Sequence, residues 1–151
     1  MKDIFNYLYW NENLSSSGMP TPEQLKEVAD AGKQVVINLA TEKSEGAIQD
    51  ESEIVASLGM NYIHIPVQWG NPTREDLEAF FKAMETHKDK NLFIHCQANY
   101  RATAFLALYH IHKLGWKQED AIAIMNRMWN PEDFPAWDKF MQENLDHWIR
   151  G

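Results

Sequence analysis

The chain holds one cysteine, and the residues around it could carry out nucleophilic chemistry. Cys96 follows His95 at the end of an apolar run, residues 92–94, and four residues separate it from Arg101. A long helical pattern begins just after the arginine. A thiolate beside a helix N-terminus and a guanidinium is stabilised electrostatically and becomes a nucleophile near neutral pH. The spacing therefore predicts a reactive thiol beside an anion site, although a free cysteine is also commonly buried for packing alone.

The short segment between Cys96 and Arg101 has the properties of an anion-binding loop. Its backbone N–H groups, wrapped into the start of a helix, would form a concave nest with partial positive charge. Arg101 adds a fixed charge and a planar pair of donors that matches two oxygens of a phosphate or sulfate-like group. Asn99 suits a loop position with positive φ. The predicted phosphate-binding residues are Gln97, Ala98, Asn99, Tyr100 and Arg101.

The composition of the 151-residue chain limits the classes of partner that it can bind. A formal net charge of −8 without any basic run argues against nucleic-acid binding, which depends on clustered Lys and Arg. No stretch is long and apolar enough to span a membrane, and a single cysteine excludes an intrachain disulfide. We expect a small anionic or phosphorylated substrate and no cofactor, and the oligomeric state is left open. Residues 1–10 lack a signal-peptide pattern, which favours the cytoplasm, although a chain whose signal peptide had been removed would look the same.

Alternating helical and strand patterns predict one α/β domain over residues 1–151. The strand patterns fall at 35–39, 62–67 and 92–95, whereas residues 11–22, rich in Ser, Gly and Pro, are predicted to be a loop. Strands that alternate with helices of about ten residues imply a central, mainly parallel sheet of four or five strands flanked by helices. Ligands of such sheets lie at the carboxyl ends of the strands, where Cys96 is placed. The predicted helices cover 23–31, 51–58, a segment opened by Pro72 and Thr73, 103–114, 118–129 and 136–149.

Several motifs on these elements resemble a known family. His95 and Cys96, followed after four residues by Arg101 and placed directly after a strand, resemble the phosphate-binding loop of the cysteine-dependent protein phosphatases. The motifs that extend the resemblance are SGMPTP at 17–22, VVINL at 35–39, GMNYIHIPV at 59–67 and LGW at 114–116. As a set they look like a bacterial branch of dual-specificity-like phosphatases, which includes the phosphatase-like domain fused to metallo-β-lactamase-type hydrolases.

This resemblance implies a fold and a reaction. The fold would be dual-specificity-phosphatase-like, and Cys96 would attack phosphorus to form a thiophosphate intermediate. Arg101 and the loop amides would stabilise the equatorial oxygens, while His95 would help to hold the thiolate without touching the substrate. Ala102 stands where these enzymes carry Ser or Thr directly after the arginine, so Thr103, one position further on, is the hydroxyl expected near the site.

Two further departures leave the reaction open. The related phosphatases have five residues between cysteine and arginine, and the shorter spacing here resembles the active loop of rhodanese-type sulfurtransferases. Residues 66–72, where a general acid is expected, contain no carboxylate, so the acid is unassigned, with Glu75, Asp76 and Asp133 as candidates. The alternatives to a phosphatase are a sulfurtransferase that uses a Cys96 persulfide and a non-catalytic anion-binding module.

The sequence also predicts where several aromatic residues outside the loop lie and whether the histidines there bind a metal. Trp69 lies in the segment expected to face Cys96, where it would either line the pocket or pack in the core. The tryptophans of the C-terminal region are expected in the core or sealing the sheet: Trp129, Trp137 and Trp148. No metal site is predicted, because none of the other histidines considered has a cysteine or carboxylate at ligand spacing: His64, His110 and His112.

Overall fold

The computed structural model describes the strands and helices of residues 1–145. Their order is β1 (Leu8–Asn11), β2 (Leu14–Ser17), α1 (Pro22–Asp30), β3 (Val35–Asn38), α2 (Glu51–Ser57), β4 (Asn61–His64), α3 (Arg74–Thr86), β5 (Leu92–His95), α4 (Tyr100–Leu114), α5 (Gln118–Met125), a 3-10 turn (Pro131–Asp133) and α6 (Pro135–Asn144). Among the helices of residues 1–145, none has both the length and the apolar character needed to cross a lipid bilayer.

One five-stranded sheet, in the order β1-β2-β5-β3-β4, organises the fold. The strands β2, β5, β3 and β4 run parallel, and β1 pairs antiparallel with β2 at the edge. The predicted mainly parallel sheet is therefore confirmed. At the carboxyl end of the central strand, His95 pairs with Ser17 on one side and Asn38 on the other. Three adjacent strand ends thus meet where Cys96 begins the next loop.

The prediction of a loop over residues 11–22 was wrong for Leu14–Ser17, which form the buried strand β2. Serine is polar and frequent in turns, so a run of serines favours a loop when it is judged locally. In the fold, the Ser16 hydroxyl accepts a hydrogen bond from Trp10 Nε1 at 3.0 Å, and the Ser17 hydroxyl donates to the Gly18 carbonyl at 2.7 Å. A hydroxyl whose hydrogen bonds are made within the protein can be buried in a strand at little cost. A local sequence pattern does not show whether those hydrogen bonds are made.

Several element ends also differ from the prediction. Helix α4 begins at Tyr100 instead of residue 103, because Asn99 adopts a left-handed conformation (φ 69°) that starts the helix early. Strand β4 ends at His64, because the register with β3 changes after it: Ile65 N donates to the Asn38 carbonyl at 2.9 Å and Val67 N to the adjacent Leu39 carbonyl at 3.0 Å. Helix α5 ends at Met125 instead of 129. Helix α6 ends at Asn144, since Leu145 is extended (φ −131°, ψ 138°), and residues 146–149 of the predicted helix, with Trp148, lie outside the described residues.

The two faces of the sheet bury separate clusters, as alternation along a strand requires. On one face Ile37 and Ile94 pack with side chains of α3, α4 and α6, and this larger cluster contains Cys96. On the other face Val36 and Phe93 pack with side chains of α1 and α2. Helix α4 lies within the larger cluster, and its residues 101–110 are all buried. The loop between β5 and α4 is therefore carried by a fully buried strand and by the buried first part of a helix.

Candidate functional site

Cys96 opens a tight loop between the central strand and α4. Its side chain has no exposed area, and its N–H donates to the Ser17 carbonyl at 3.3 Å. Within residues 1–145, the backbone N–H groups of Gln97, Ala98, Tyr100 and Arg101 have no protein acceptor, whereas the antiparallel bridge between Gly18 and Ala98 directs the Asn99 N–H toward the Ser17 carbonyl. The first N–H groups of a helix lack intrahelical partners, and a loop that leads into a helix adds further donors. The loop is therefore a set of unpaired donors beside a thiol.

The carbonyl groups of this loop are held from outside by the N-terminal part of the chain. Met19 N donates to the Gln97 carbonyl at 2.9 Å, and Asn6 Nδ2 donates to the Ala98 carbonyl at 3.0 Å. Asn99 Nδ2 returns a bond to the Asn6 carbonyl at 2.8 Å. Because C=O and N–H of one peptide point in opposite directions, these contacts turn the following N–H groups away from the N-terminal segment. Sequence reasoning missed Asn6, which lies more than 90 positions away from its partners.

Gly18 makes the close approach of these segments possible. A Cβ added there would lie 2.7 Å from the Gln97 carbonyl oxygen and 2.7 Å from Phe5 Cδ2. Gly18 N also donates to the Phe5 carbonyl at 2.7 Å. Any side chain would push the N-terminal segment and the Cys96 loop apart, so only glycine, which has no Cβ, fits between them.

Arg101 is buried (5% exposed) and joins three loops. Its Nη1 donates to the Val67 carbonyl at 2.8 Å, and its Nη2 lies 3.4 Å from the Ser44 hydroxyl. Two contacts on different nitrogens fix the plane of the guanidinium and leave its other N–H groups for a ligand. Ser44 was not singled out from the sequence, because no local pattern connects it to Arg101, which lies 57 positions away.

A cavity of about 330 Å³ lies at the loop. The residues that line it are Trp69, Cys96, Gln97, Ala98, Tyr100, Arg101 and Phe134. Of the two alternatives left open for Trp69, the structure supports the one in which it lines a pocket with Cys96. Asn99, also predicted as a phosphate-binding residue, does not line this cavity; it is buried and holds the N-terminal segment.

One wall of this cavity is aromatic. Trp69 meets Phe134 edge-on, with ring centroids 5.1 Å apart, and Tyr100 stacks on Trp129 at 5.0 Å. Trp137 Nε1 donates to the Trp69 carbonyl at 2.8 Å, which fixes the backbone of this segment. Trp129 and Trp137 are buried, as predicted. The cavity thus pairs a polar loop with an apolar wall.

The carboxylates considered as proton donors lie elsewhere. Asp76 caps α3, where its Oδ2 accepts from Thr73 N at 3.3 Å. Glu75 and Asp133 are exposed, and no Asp or Glu of residues 1–145 lines the cavity. Glu45 contacts the loop through its backbone, whose N–H donates to Gln97 Oε1 at 3.1 Å. The arrangement therefore supplies an anion cradle and a thiol without a built-in acid.

The two residues predicted to act from behind the loop, Thr103 and His95, contact it in different ways. The Thr103 hydroxyl donates to the Asn99 carbonyl at 2.7 Å and accepts from Trp129 Nε1 at 3.0 Å. It braces the end of the loop, and these bonds occupy the hydroxyl. His95 is fully buried, with Nδ1 3.3 Å from the Cys96 carbonyl oxygen and Nε2 2.6 Å from Glu51 Oε2. Glu51 was missed because an acidic residue in a first helical turn is ordinary.

Comparison with known proteins gives a consistent result. Residues 11–143 match the sequence model of a family described as "DSP-PTPase phosphatase fused to NAD+ Kinase". A candidate phosphatase (DUF442) from Shewanella putrefaciens CN-32 has a crystal structure that superposes with a TM-score of 0.84 and 37% identity, covering 99% of this chain and 94% of that one. TpbA from P. aeruginosa, crystallised in complex with pTyr as a cysteine-to-serine variant, superposes with a TM-score of 0.71 at 14% identity, covering 89% of this chain and 82% of that one. The predicted dual-specificity-phosphatase-like fold is confirmed.

The curated relatives are longer proteins. A beta-lactamase hydrolase-like protein from Xylella fastidiosa (strain Temecula1 / ATCC 700964) is 26% identical over 117 residues, which cover 76% of this chain and 27% of that protein. The chain thus spans about a quarter of the length of the curated relatives it matches. This match agrees with the resemblance to a phosphatase-like domain fused to a hydrolase.

Proposed function

Since the chain belongs to the family of dual-specificity-type phosphatases described as fused to NAD+ kinase, we propose that it is a cysteine-dependent phosphatase that hydrolyses phosphomonoesters. One observation carries the proposal. In the Cys96 loop, unpaired backbone N–H groups and a buried, oriented guanidinium surround a thiol in a single cavity. Donors arranged before the substrate arrives stabilise developing charge without reorganisation, which is usually the largest contribution to catalysis in such sites.

The proposed reaction has two steps. The Cys96 thiolate attacks phosphorus and forms an S–P bond, while the bond between phosphorus and the leaving oxygen breaks and that oxygen departs with its electron pair. Water then attacks the thiophosphate, the S–P bond breaks, and inorganic phosphate and the thiolate are released. The unpaired backbone N–H groups of the loop and the free side-chain N–H groups of Arg101 bind the three equatorial oxygens in both steps.

The walls of the cavity favour aryl phosphates as substrates. Trp69 and Phe134 provide an aromatic surface against which a ring can pack. An aryl oxygen is also a good leaving group, which suits a cavity lined by no carboxylate of residues 1–145. The net charge of −8 disfavours highly anionic polymers. We propose a small phosphorylated substrate and, because the nucleophile must stay a free thiol, a reducing compartment such as the cytoplasm.

The short loop calls for a test that also measures sulfur transfer. Hydrolysis of p-nitrophenyl phosphate and transfer of sulfur from thiosulfate to cyanide are measured in parallel with wild type, Cys96→Ser and Arg74→Lys. We expect phosphate release by wild type and by Arg74→Lys, since Arg74 is exposed and pairs with Glu78 on α3, and none by Cys96→Ser. Sulfur transfer without phosphate release would replace the proposal by persulfide chemistry. Inactivity in both assays with saturable phosphate binding would leave an anion-binding module.

A further inference from the structure

Glu51 is a buried carboxylate that the proposed reaction does not use. It is the first residue of α2 and is only 4% exposed. A buried charge needs a partner and hydrogen bonds that replace water. Its Oε2 lies 2.6 Å from His95 Nε2, and its Oε1 accepts from Asn38 Nδ2 at 3.3 Å. Both carboxylate oxygens are therefore committed to side chains at the carboxyl ends of β5 and β3.

The other ring nitrogen of His95 faces the Cys96 loop. Nδ1 lies 3.3 Å from the Cys96 carbonyl oxygen, so the ring sits between two oxygen acceptors, that carbonyl and the Glu51 carboxylate. A neutral imidazole has one N–H and can satisfy only one of them. Both contacts are satisfied when each ring nitrogen carries a hydrogen. Glu51 Oε2 then accepts from Nε2 and the Cys96 carbonyl accepts from Nδ1, so the ring links the carboxylate to the loop.

We propose that Glu51 is a positioning residue for the Cys96 loop, which it controls by holding His95 as a donor from both ring nitrogens. The inference rests on the proposed function, because it assigns Glu51 a part in the same site. With the Cys96 carbonyl held toward His95, planarity of the peptide turns the Gln97 N–H in the opposite direction. Gln97 lines the cavity, so Glu51 helps to present a phosphate donor without touching the substrate.

Further polar side chains extend the network around Glu51. Asn38 Nδ2 also donates to the Tyr62 hydroxyl at 3.0 Å, and Asn38 Oδ1 accepts from Ala40 N at 2.9 Å. Burial raises the pKa of Tyr62 to about 12, with the negative charge of Glu51 adding to the effect and the Asn38 hydrogen bond opposing it. Tyr62 thus keeps its hydroxyl hydrogen at assay pH and joins the network through Asn38, while Glu42 and Asp50 line the same pocket as Glu51.

The test compares two glutamates of one helix. Glu51→Gln removes the charge with little change in volume, and Glu53→Gln is the matched control, because Glu53 is exposed on α2. We expect Glu51→Gln to lower kcat for p-nitrophenyl phosphate and to weaken competitive inhibition by inorganic phosphate by about 10- to 100-fold, the range for losing one charge-assisted hydrogen bond. Glu53→Gln stays at wild-type values. Glu51→Asp, which keeps the charge, recovers part of the loss.

A spectroscopic readout separates positioning from simple destabilisation. Long-range 1H-15N NMR of the histidine rings, with His95 identified by comparison with His95→Gln, is expected to show both His95 nitrogens protonated in the wild type and one in Glu51→Gln. Equal kinetics and phosphate inhibition for Glu51→Gln and Glu53→Gln, or a singly protonated His95 in the wild type, would overturn the inference. If the wild type has no Cys96-dependent turnover, the proposed function itself fails, and the ring signal still decides whether Glu51 holds His95.

Discussion

Arg101 Nη1 donates a hydrogen bond to the Val67 carbonyl at 2.8 Å, and this contact ties the anion loop to the segment that follows β4. The second terminal nitrogen lies 3.4 Å from the Ser44 hydroxyl, in the loop after β3. Three loops that leave adjacent parallel strands therefore meet at one cation. A guanidinium held on two sides cannot swing away from the cavity, so its orientation is set before a substrate arrives.

Arg101→Lys tests this orientation. Lysine keeps the positive charge but lacks the planar fork, so it cannot hold Val67 and Ser44 and also offer paired donors to phosphate. We expect inhibition by inorganic phosphate to weaken by about 10- to 100-fold, with a parallel loss in kcat/KM for p-nitrophenyl phosphate. Competitive inhibition kinetics measure both effects. Phosphate binding unchanged from wild type would show that charge alone, without the fork, accounts for the site.

Trp69→Leu tests the aromatic wall. Trp69 packs against Phe134 in the cavity, so its loss should weaken binding of an aryl substrate through lost ring contact. We expect KM for p-nitrophenyl phosphate to rise about tenfold, which is about 1.4 kcal/mol, while inhibition by inorganic phosphate changes little. Trp116→Leu is the control, because Trp116 has a similar exposed fraction (36% against 37%) and does not line the cavity. Equal changes in both variants would remove Trp69 from substrate binding.

Asn99 combines a positive φ of 69° with a side-chain bond to the Asn6 carbonyl. Asn99→Ala loses the hydrogen bond to the Asn6 carbonyl and the tolerance of a positive φ. Asn99→Gly loses only the hydrogen bond, because glycine adopts a positive φ without strain. We expect the free energy of unfolding in urea to fall for both variants, with Ala lower than Gly by about 1 kcal/mol. If Asn99→Ala proves as stable as Asn99→Gly, the left-handed turn does not limit the loop.

His110 should make stability depend on pH. Burial lowers the pKa of His110 below its usual 6.5, against a smaller opposing effect of its hydrogen bond to the Leu106 carbonyl. The unfolded chain therefore takes up this proton first, so the contribution is present above pH 6.5 and is lost as the pH falls below that value toward the folded-state pKa. Urea unfolding at about pH 7.5 and about pH 5.5, on either side of that value, should show a smaller loss on acidification in His110→Gln than in the wild type. His112→Gln, at an exposed position, should lose as much stability on acidification as the wild type does. If His110→Gln also loses as much stability as the wild type, the assignment to His110 is contradicted.

Local patterns were enough to find the parts of the site that are contiguous in sequence. Cys96 and Arg101 lie on either side of a strand-to-helix turn, so their spacing and the apolar run before them already predict a thiol at the end of a parallel strand. Partners that come from distant segments left no such signal. Glu51, Asn6 and Ser44 reach the loop across 44, 92 and 57 positions. Their roles depend on which strands are neighbours in the sheet. Because β2 was predicted to be a loop, part of the strand order could not be predicted.

The central claim is that Cys96 carries the phosphoryl group during turnover, and a trapped intermediate tests it most directly. Wild-type protein mixed with excess p-nitrophenyl phosphate is quenched in acid within the first turnovers, digested, and analysed by mass spectrometry beside Cys96→Ser treated in the same way. The account predicts one phosphoryl group on the peptide that contains Cys96, present in the wild type and absent in the variant. Steady hydrolysis that persists in Cys96→Ser, with no phosphoryl group on that peptide in the wild type, would contradict it.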